Sequence, residues 1–136
     1  MSLRNRLLQL TLVVLSLAIG MQAEDRATCS NATLHGGYGL HATGTITGVG
    51  DFAAVGRFTF DGKGNLSAKL FVRVNGNNIE PPPITGTYSV GSDCVVTDVW
   101  GGSTHVSVIV DNGKGYFILN NTLGEGDTIS GEARRQ

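Results

Sequence analysis

The stretch Phe52-Ala-Ala-Val-Gly-Arg-Phe-Thr-Phe60, Asp61-Gly-Lys-Gly-Asn65, Leu66-Ser-Ala-Lys-Leu-Phe-Val-Arg-Val74 decides the fold. In its last part Leu66, Ala68, Leu70 and Val72 fall on one face, while Ser67, Lys69 and Arg73 fall on the other. That is the two-residue period of a strand with one dry and one wet side. The first part divides in the same way, with Ala54, Gly56, Phe58 and Phe60 opposite Arg57 and Thr59. Between them, Asp61 to Asn65 supplies residues that tolerate positive φ, so the two runs read as an antiparallel hairpin.

The same theme extends in both directions. Runs rich in Val, Ile, Thr, Phe and Tyr occupy 38–46, 52–60, 66–74, 84–90, 94–100, 104–110, 116–122 and 128–134, which makes eight candidate strands. Turn chemistry separates them, at Asn75-Gly-Asn-Asn78, Gly91-Ser-Asp93, Gly101-Gly102 and Asp111-Asn-Gly-Lys-Gly115. No segment keeps a helical period. In the run 104–110, Val106, Val108 and Val110 form the apolar set, opposite His105 and Ser107. Pro81-Pro82-Pro83 cannot donate ladder hydrogen bonds and belongs to a loop ahead of the fourth run. Gly44, Gly56, Gly86 and Gly131 sit inside strands, which suits a sheet that curls until it closes. The expected fold is all-β: an eight-stranded antiparallel up-and-down barrel, with a two-sheet sandwich as the alternative.

Composition sets the limits around that fold. The chain has 136 residues, 40% hydrophobic and 15% charged, with 20 glycines, enough apolar mass for a core but heavy in turns. Lys plus Arg is 10 and Asp plus Glu is 11, a formal charge of −1 that leaves no electrostatic footprint for nucleic acid.

The N-terminus reads as an export signal. Arg4 and Arg6 precede the uncharged run Leu7 to Gly20, and Met21-Gln22-Ala23 ends in a small residue before Glu24-Asp25. A membrane anchor needs about 20 apolar residues, and this run has 14. Residues 1–23 are therefore assigned to a cleaved signal peptide and 24–136 to a single barrel domain. Cleavage leaves 8 basic against 11 acidic side chains, a formal charge of −3, on an exported protein, periplasmic or extracellular, with no integral membrane domain. A membrane barrel is disfavoured by Lys69 and Arg73 on the outward face and by strands that mostly fall short of spanning length.

Cys29 and Cys94 are the two cysteines, and an oxidising compartment favours pairing them, with two free structural thiols as the competing reading. Neither has a second cysteine or histidine at ligand spacing, and His35, His41 and His105 are scattered, so no metal is expected. Asp61 to Asn65 lacks the ligand positions of a calcium loop, and no nucleophile elbow, phosphate loop or dinucleotide fingerprint calls for a cofactor. Most carboxylates occupy turns. Asp98 shares a face with Val96 and Trp100 if its strand alternates strictly, yet Val95, Thr97 and Val99 are an equally possible inward set that would return it to solvent. Tyr38, Tyr88 and Trp100 are the aromatics best placed for a ligand slot near a barrel mouth, or else they simply fill the interior.

Three segments also carry a resemblance: Cys29-Ser-Asn-Ala-Thr-Leu-His-Gly-Gly-Tyr-Gly39, Val55-Gly-Arg-Phe-Thr-Phe-Asp-Gly-Lys-Gly-Asn65 and Thr85-Gly-Thr-Tyr-Ser-Val-Gly-Ser-Asp-Cys94. Together they resemble small exported bacterial proteins of unassigned function that look like calycin-type barrels, similar to the lipocalin and allene oxide cyclase barrels. The resemblance implies the barrel and a Cys29–Cys94 partnership, and no reaction. Where lipocalins carry Gly-x-Trp near the first strand, this chain has Gly36-Gly37-Tyr38.

Two functions follow as expectations. The first is a non-catalytic exported barrel that binds a small apolar ligand inside, or a protein partner on its loops, with Tyr38, Tyr88, Trp100 and Asp98 as candidate contacts. The alternative is a cyclase or isomerase working on a lipid in the cavity, which predicts an open cavity reaching Asp98, Tyr88 or Tyr38. A structural or adhesive protein would instead show a filled interior and a broad apolar patch outside.

Overall fold

A computed structural model describes residues 28–120 and 126–136. The signal segment assigned to 1–23, the start of the domain at 24 and the end of the 116–122 run lie outside the described residues. Nine strands are present among the described residues: β1 (His35–Ile46), β2 (Gly50–Asp61), β3 (Asn65–Val74), β4 (Asn77–Ile79), β5 (Ile84–Val90), β6 (Val95–Trp100), β7 (Ser103–Val110), β8 (Gly115–Asn120) and β9 (Thr128–Arg135). Each expected run is a strand. Antiparallel pairings join β1 to β2, β2 to β3, β3 to β5, and β5 through β9 in succession. β9 then pairs back onto β1, and an eight-stranded barrel is closed.

The ninth strand is an addition to the expected eight. The sequence marks Asn75 to Asn78 as one turn, but only Asn75 and Gly76 turn, both with positive φ (45° and 82°). A two-residue loop of that kind matches the twist of flanking strands, so Asn77–Ile79 folds back as β4 on Val72–Val74. β4 lies on the edge of β3 whose other end, Asn65–Ala68, pairs with β5. Glu80 and the three prolines then carry the chain across to β5.

One strand has the opposite phase to that expected. In β7 the buried residues are His105, Ser107 and Ile109, while Val108 is 45% exposed. Register explains the inversion. The Gly101-Gly102 loop, again with two positive φ values, fixes Trp100 opposite Ser103 and hence Asp98 opposite His105. Directly opposed residues share a face. Asp98 is buried and Val95 and Val99 are exposed, so β6 points Val96, Asp98 and Trp100 inward and His105 must follow. The valines of β7 join Phe117 and Leu119 of β8 on an apolar stripe of the outer wall.

The two ends of the barrel differ. At one end an aromatic cluster fills the bore: Phe60 meets Tyr38, Tyr88 and Tyr116 edge-on at centroid distances of 5.4, 5.0 and 5.7 Å. Such T-shaped contacts bring the positive ring edge to the negative face. The segment from Cys29 to Leu34, including a short 3-10 turn at Asn31–Thr33, caps this end. A disulfide joins Cys29 to Cys94, in the β5–β6 loop. Asn31 Oδ1 accepts a hydrogen bond from Val90 N, and the Tyr88 hydroxyl lies 3.0 Å from Leu34 O and 3.1 Å from Asn31 O. Beside them, the Asp61–Asn65 hairpin is tied by its own carboxylate, which accepts from the Asn65 side chain and from the backbone amides of Asn65 and Lys63. Those bonds, the Asn65 side chain foremost, hold the Asp61 carboxyl at about 2, below its ordinary 3.8.

Candidate functional site

The other half of the bore is open. A cavity of about 580 Å3 is bounded by Ile46, Gly101, Asn120, Asp127 and the Pro81–Pro83 strap. Its walls are short or branched aliphatic side chains, among them Leu40, Ala42, Ala54, Leu70, Ile118 and Ile129. The alanines are what make the room. Where the aromatic end has Tyr38 and Phe58, the next inward positions along β1 and β2 carry Leu40 with Ala42, and Gly56 with Ala54.

The polar side of the cavity is built by the β6–β7 hairpin. Trp100 and His105 both line it, with their rings stacked at 4.0 Å and an interplanar angle of 13°. Trp100 is backed edge-on by Phe58 at 5.1 Å, which ties this wall to the aromatic end. Behind the imidazole, Asp98 Oδ1 approaches His105 Nδ1 to 3.1 Å, both side chains being almost wholly buried. The two atoms meet without the alignment of a hydrogen bond, and neither has a hydrogen-bond partner. Asp98, His105 and Ser107 are the buried polar side chains of the described core, and all three belong to this hairpin.

The candidate residues read from sequence fall into two groups. Trp100 lines the cavity and Asp98 stands one side chain behind its wall. Tyr38 and Tyr88 belong to the closed end. The Tyr38 hydroxyl donates to Gly113 O at 2.6 Å and accepts from Arg135 Nε and Nη2, and the Tyr88 hydroxyl sits between two backbone carbonyls. Cys29 and Cys94 are paired at that same end. His105 joins this site although its own strand pattern places it on the outer face. The signal for it was the two-residue Gly101-Gly102 loop, because such a loop makes each residue of β6 face the one of β7 at an equal distance from the turn. His35 and His41 are exposed and far from this hairpin in the sheet, and no group of three or more His, Cys, Asp or Glu side chains among the described residues could hold a metal ion. No helix of the described residues is long and apolar enough to cross a membrane.

Tyr116 gives the polar interior a measurable signature. Burial first, then the Asp98 carboxyl, then Tyr38, push its phenol well above the ordinary value of 10. The folded chain keeps the phenol neutral while the unfolded chain ionises it near pH 10, so this contribution is complete below pH 10 and is lost as pH rises beyond it. Tyr116→Phe should therefore weaken the loss of stability between pH 7 and 10.5, leaving the share of Tyr88, which burial raises in the same direction. The Tyr116 hydroxyl has no hydrogen-bond partner, so at pH 7 the change should be within about 1 kcal/mol. Urea midpoints at the two pH values read both effects, and equal alkaline losses in the two proteins would contradict them.

No protein-family model, curated protein or solved structure matches the chain. The site is therefore argued from its geometry.

Proposed function

We propose that this protein is an exported binding barrel that holds one small, mainly apolar molecule in its open half. The half-filled bore carries the reading. A protein interior ordinarily packs to the density of an organic crystal, with few voids larger than a water molecule. Here aromatic rings in edge-on contact occupy one end of the barrel and the other keeps about 580 Å3, within the range of pockets that enclose drug-sized ligands. Export is supported by the Arg-led apolar segment at the N-terminus, by the disulfide and by the resemblance to small exported calycin-like proteins. The Tyr38 and Tyr88 hydroxyls are engaged by backbone carbonyls at the closed end, which favours binding over a cyclase that would use them on a substrate.

Mass spectrometry of organic extracts from the purified, denatured protein tests the proposal. An apolar compound should be recovered in roughly equimolar amount, and Ala42→Phe, which fills the cavity wall, should lose it. Empty extracts combined with no saturable uptake of added apolar probes would reject the reading.

A further inference from the structure

The outer wall of the barrel has two unlike sides. Across β2, β3 and β9 the outward positions carry Asp51, Arg57, Lys69, Arg73, Glu132 and Arg134. Across β5, β6, β7 and β8 the outward positions carry only Thr, Ser, Val, Phe and Leu, without one charge. Five of the large apolar side chains exposed among the described residues stand on this second side: Val95, Val99, Val108, Phe117 and Leu119. Register sets them in rows. Val95 is opposite Val108, which is opposite Phe117, and Thr97 is opposite Val106, which is opposite Leu119. Directly opposed residues share a face, so the rows form one continuous patch.

Elsewhere on the wall, charged side chains shield what apolar surface there is. Lys69 Nζ lies 5.2 Å from the centre of the Phe71 ring and pairs with Glu80. The patch on β6–β8 ends where β9 begins: Glu132, opposite Phe117, approaches Arg134 at 3.7 Å. A contiguous apolar face with a charged rim is the mark of a surface that another body covers. Charge decides which body. An anionic lipid surface is held by Lys and Arg beside the apolar contact, and the outward positions of β5–β8 have none. A charged partner would have its ions desolvated against side chains that cannot receive them. The matching surface is one equally free of charge, and this chain carries such a surface itself.

We propose that the outer face of β5–β8 pairs with the same face of a second copy of this chain, sheet on sheet, about a two-fold axis. An isologous contact of this kind needs a self-complementary patch. A face without charge meets its own copy with no like charges opposed, whereas the sides bearing Arg57 and Lys69 or Asp51 do not. Homodimer interfaces are accordingly apolar, with charged residues depleted at their centre. Rows of valine and threonine on a twisted sheet are the surface that packs face to face, about 10 Å apart, in β-sandwiches. Phe117 and Leu119 are the largest side chains of the patch and form its anchor. The pairing goes beyond ligand binding and stands whatever the bore contains.

Sedimentation velocity on the purified, oxidised protein, between about 1 and about 200 µM, tests the pairing. A species of twice the monomer mass should form and should dissociate on dilution. Phe117→Lys and Phe117→Glu should each weaken it at least about tenfold, because a charge of either sign is buried unpaired in the contact. Val55→Lys is the control, since Val55 is 52% exposed against 54% for Phe117 but lies on the charged side of the wall, and it should leave the dimer unchanged. Circular dichroism checks that each variant keeps the barrel, and Val108→Lys reads the same contact if a Phe117 variant does not fold. A wild-type monomer at the highest concentration, with or without binding to phosphatidylglycerol vesicles, would overturn the proposal. So would a dimer that the Phe117 and Val108 variants leave intact, or an assembly of more than two copies.

Discussion

Gly131→Ala should destabilise the barrel by about 3 kcal/mol or more, and Gly44→Ala by a similar amount, enough to unfold a marginally stable domain. Both glycines lie on the seam where β9 pairs back onto β1 and closes the ring. A Cβ on Gly131 would collide with His41 O and stand 2.8 Å from Ala42 Cα, and one on Gly44 would collide with Thr128 O and stand 2.6 Å from Ile129 Cα. These obstacles are backbone atoms of the partner strand. They cannot move without parting the ladder, so relief comes only by opening the seam. Gly101→Ala is the control, since nothing lies within 4 Å of its Cβ position and only its positive φ resists substitution. That costs about 1–2 kcal/mol. Denaturant unfolding of the three variants separates the cases, and seam variants no weaker than the control would show that β1 and β9 are not in this contact.

Breaking the Cys29–Cys94 bond should be the other large effect. Its ends are 65 residues apart, and in the chain-entropy model a loop of that size stabilises the fold by about 4 kcal/mol. For a domain of this length the Cys29→Ser, Cys94→Ser variant should melt roughly 15 °C lower. The loss is not purely that of a tether. Cys29 starts the segment that places Asn31 on Val90 and gives the Tyr88 hydroxyl its carbonyl partners, so releasing it uncovers the aromatic end. The cavity lies at the opposite end of the bore. Below the new melting temperature, ligand affinity should be unchanged, and a parallel loss of affinity would mean that the two ends are coupled.

The barrel was legible because its turns and its alternation point to the same structure. Asp61 to Asn65 and Asp111 to Gly115 mark reversals, and the strands of the Phe52–Val74 hairpin put apolar side chains on one face in register. β7 was misread because valine favours a strand whichever way it points. Taken alone, Val106, Val108 and Val110 outweigh His105, Ser107 and Ile109 as a core face, and only pairing with β6 reverses the choice. The phase of β6 was itself undecided, since Val95 and Val99 are as apolar as Val96. β4 escaped notice because a three-residue strand with two asparagines has no pattern of its own and exists only through its tight turn onto β3. The candidate site inherited that ambiguity. Trp100 and Asp98 were visible as a pair on one face, but His105 enters the cavity through register alone.

The central claim is a barrel closed at one end and hollow at the other, with Trp100 in the wall of the hollow. Quenching of Trp100 emission by bromocyclohexane, a small neutral apolar probe, tests it most directly. The account predicts saturable quenching that reaches a plateau at one probe per protein and is greatly weakened in Ala42→Phe. Quenching that rises linearly without a plateau, or emission that the probe leaves unchanged, would contradict it.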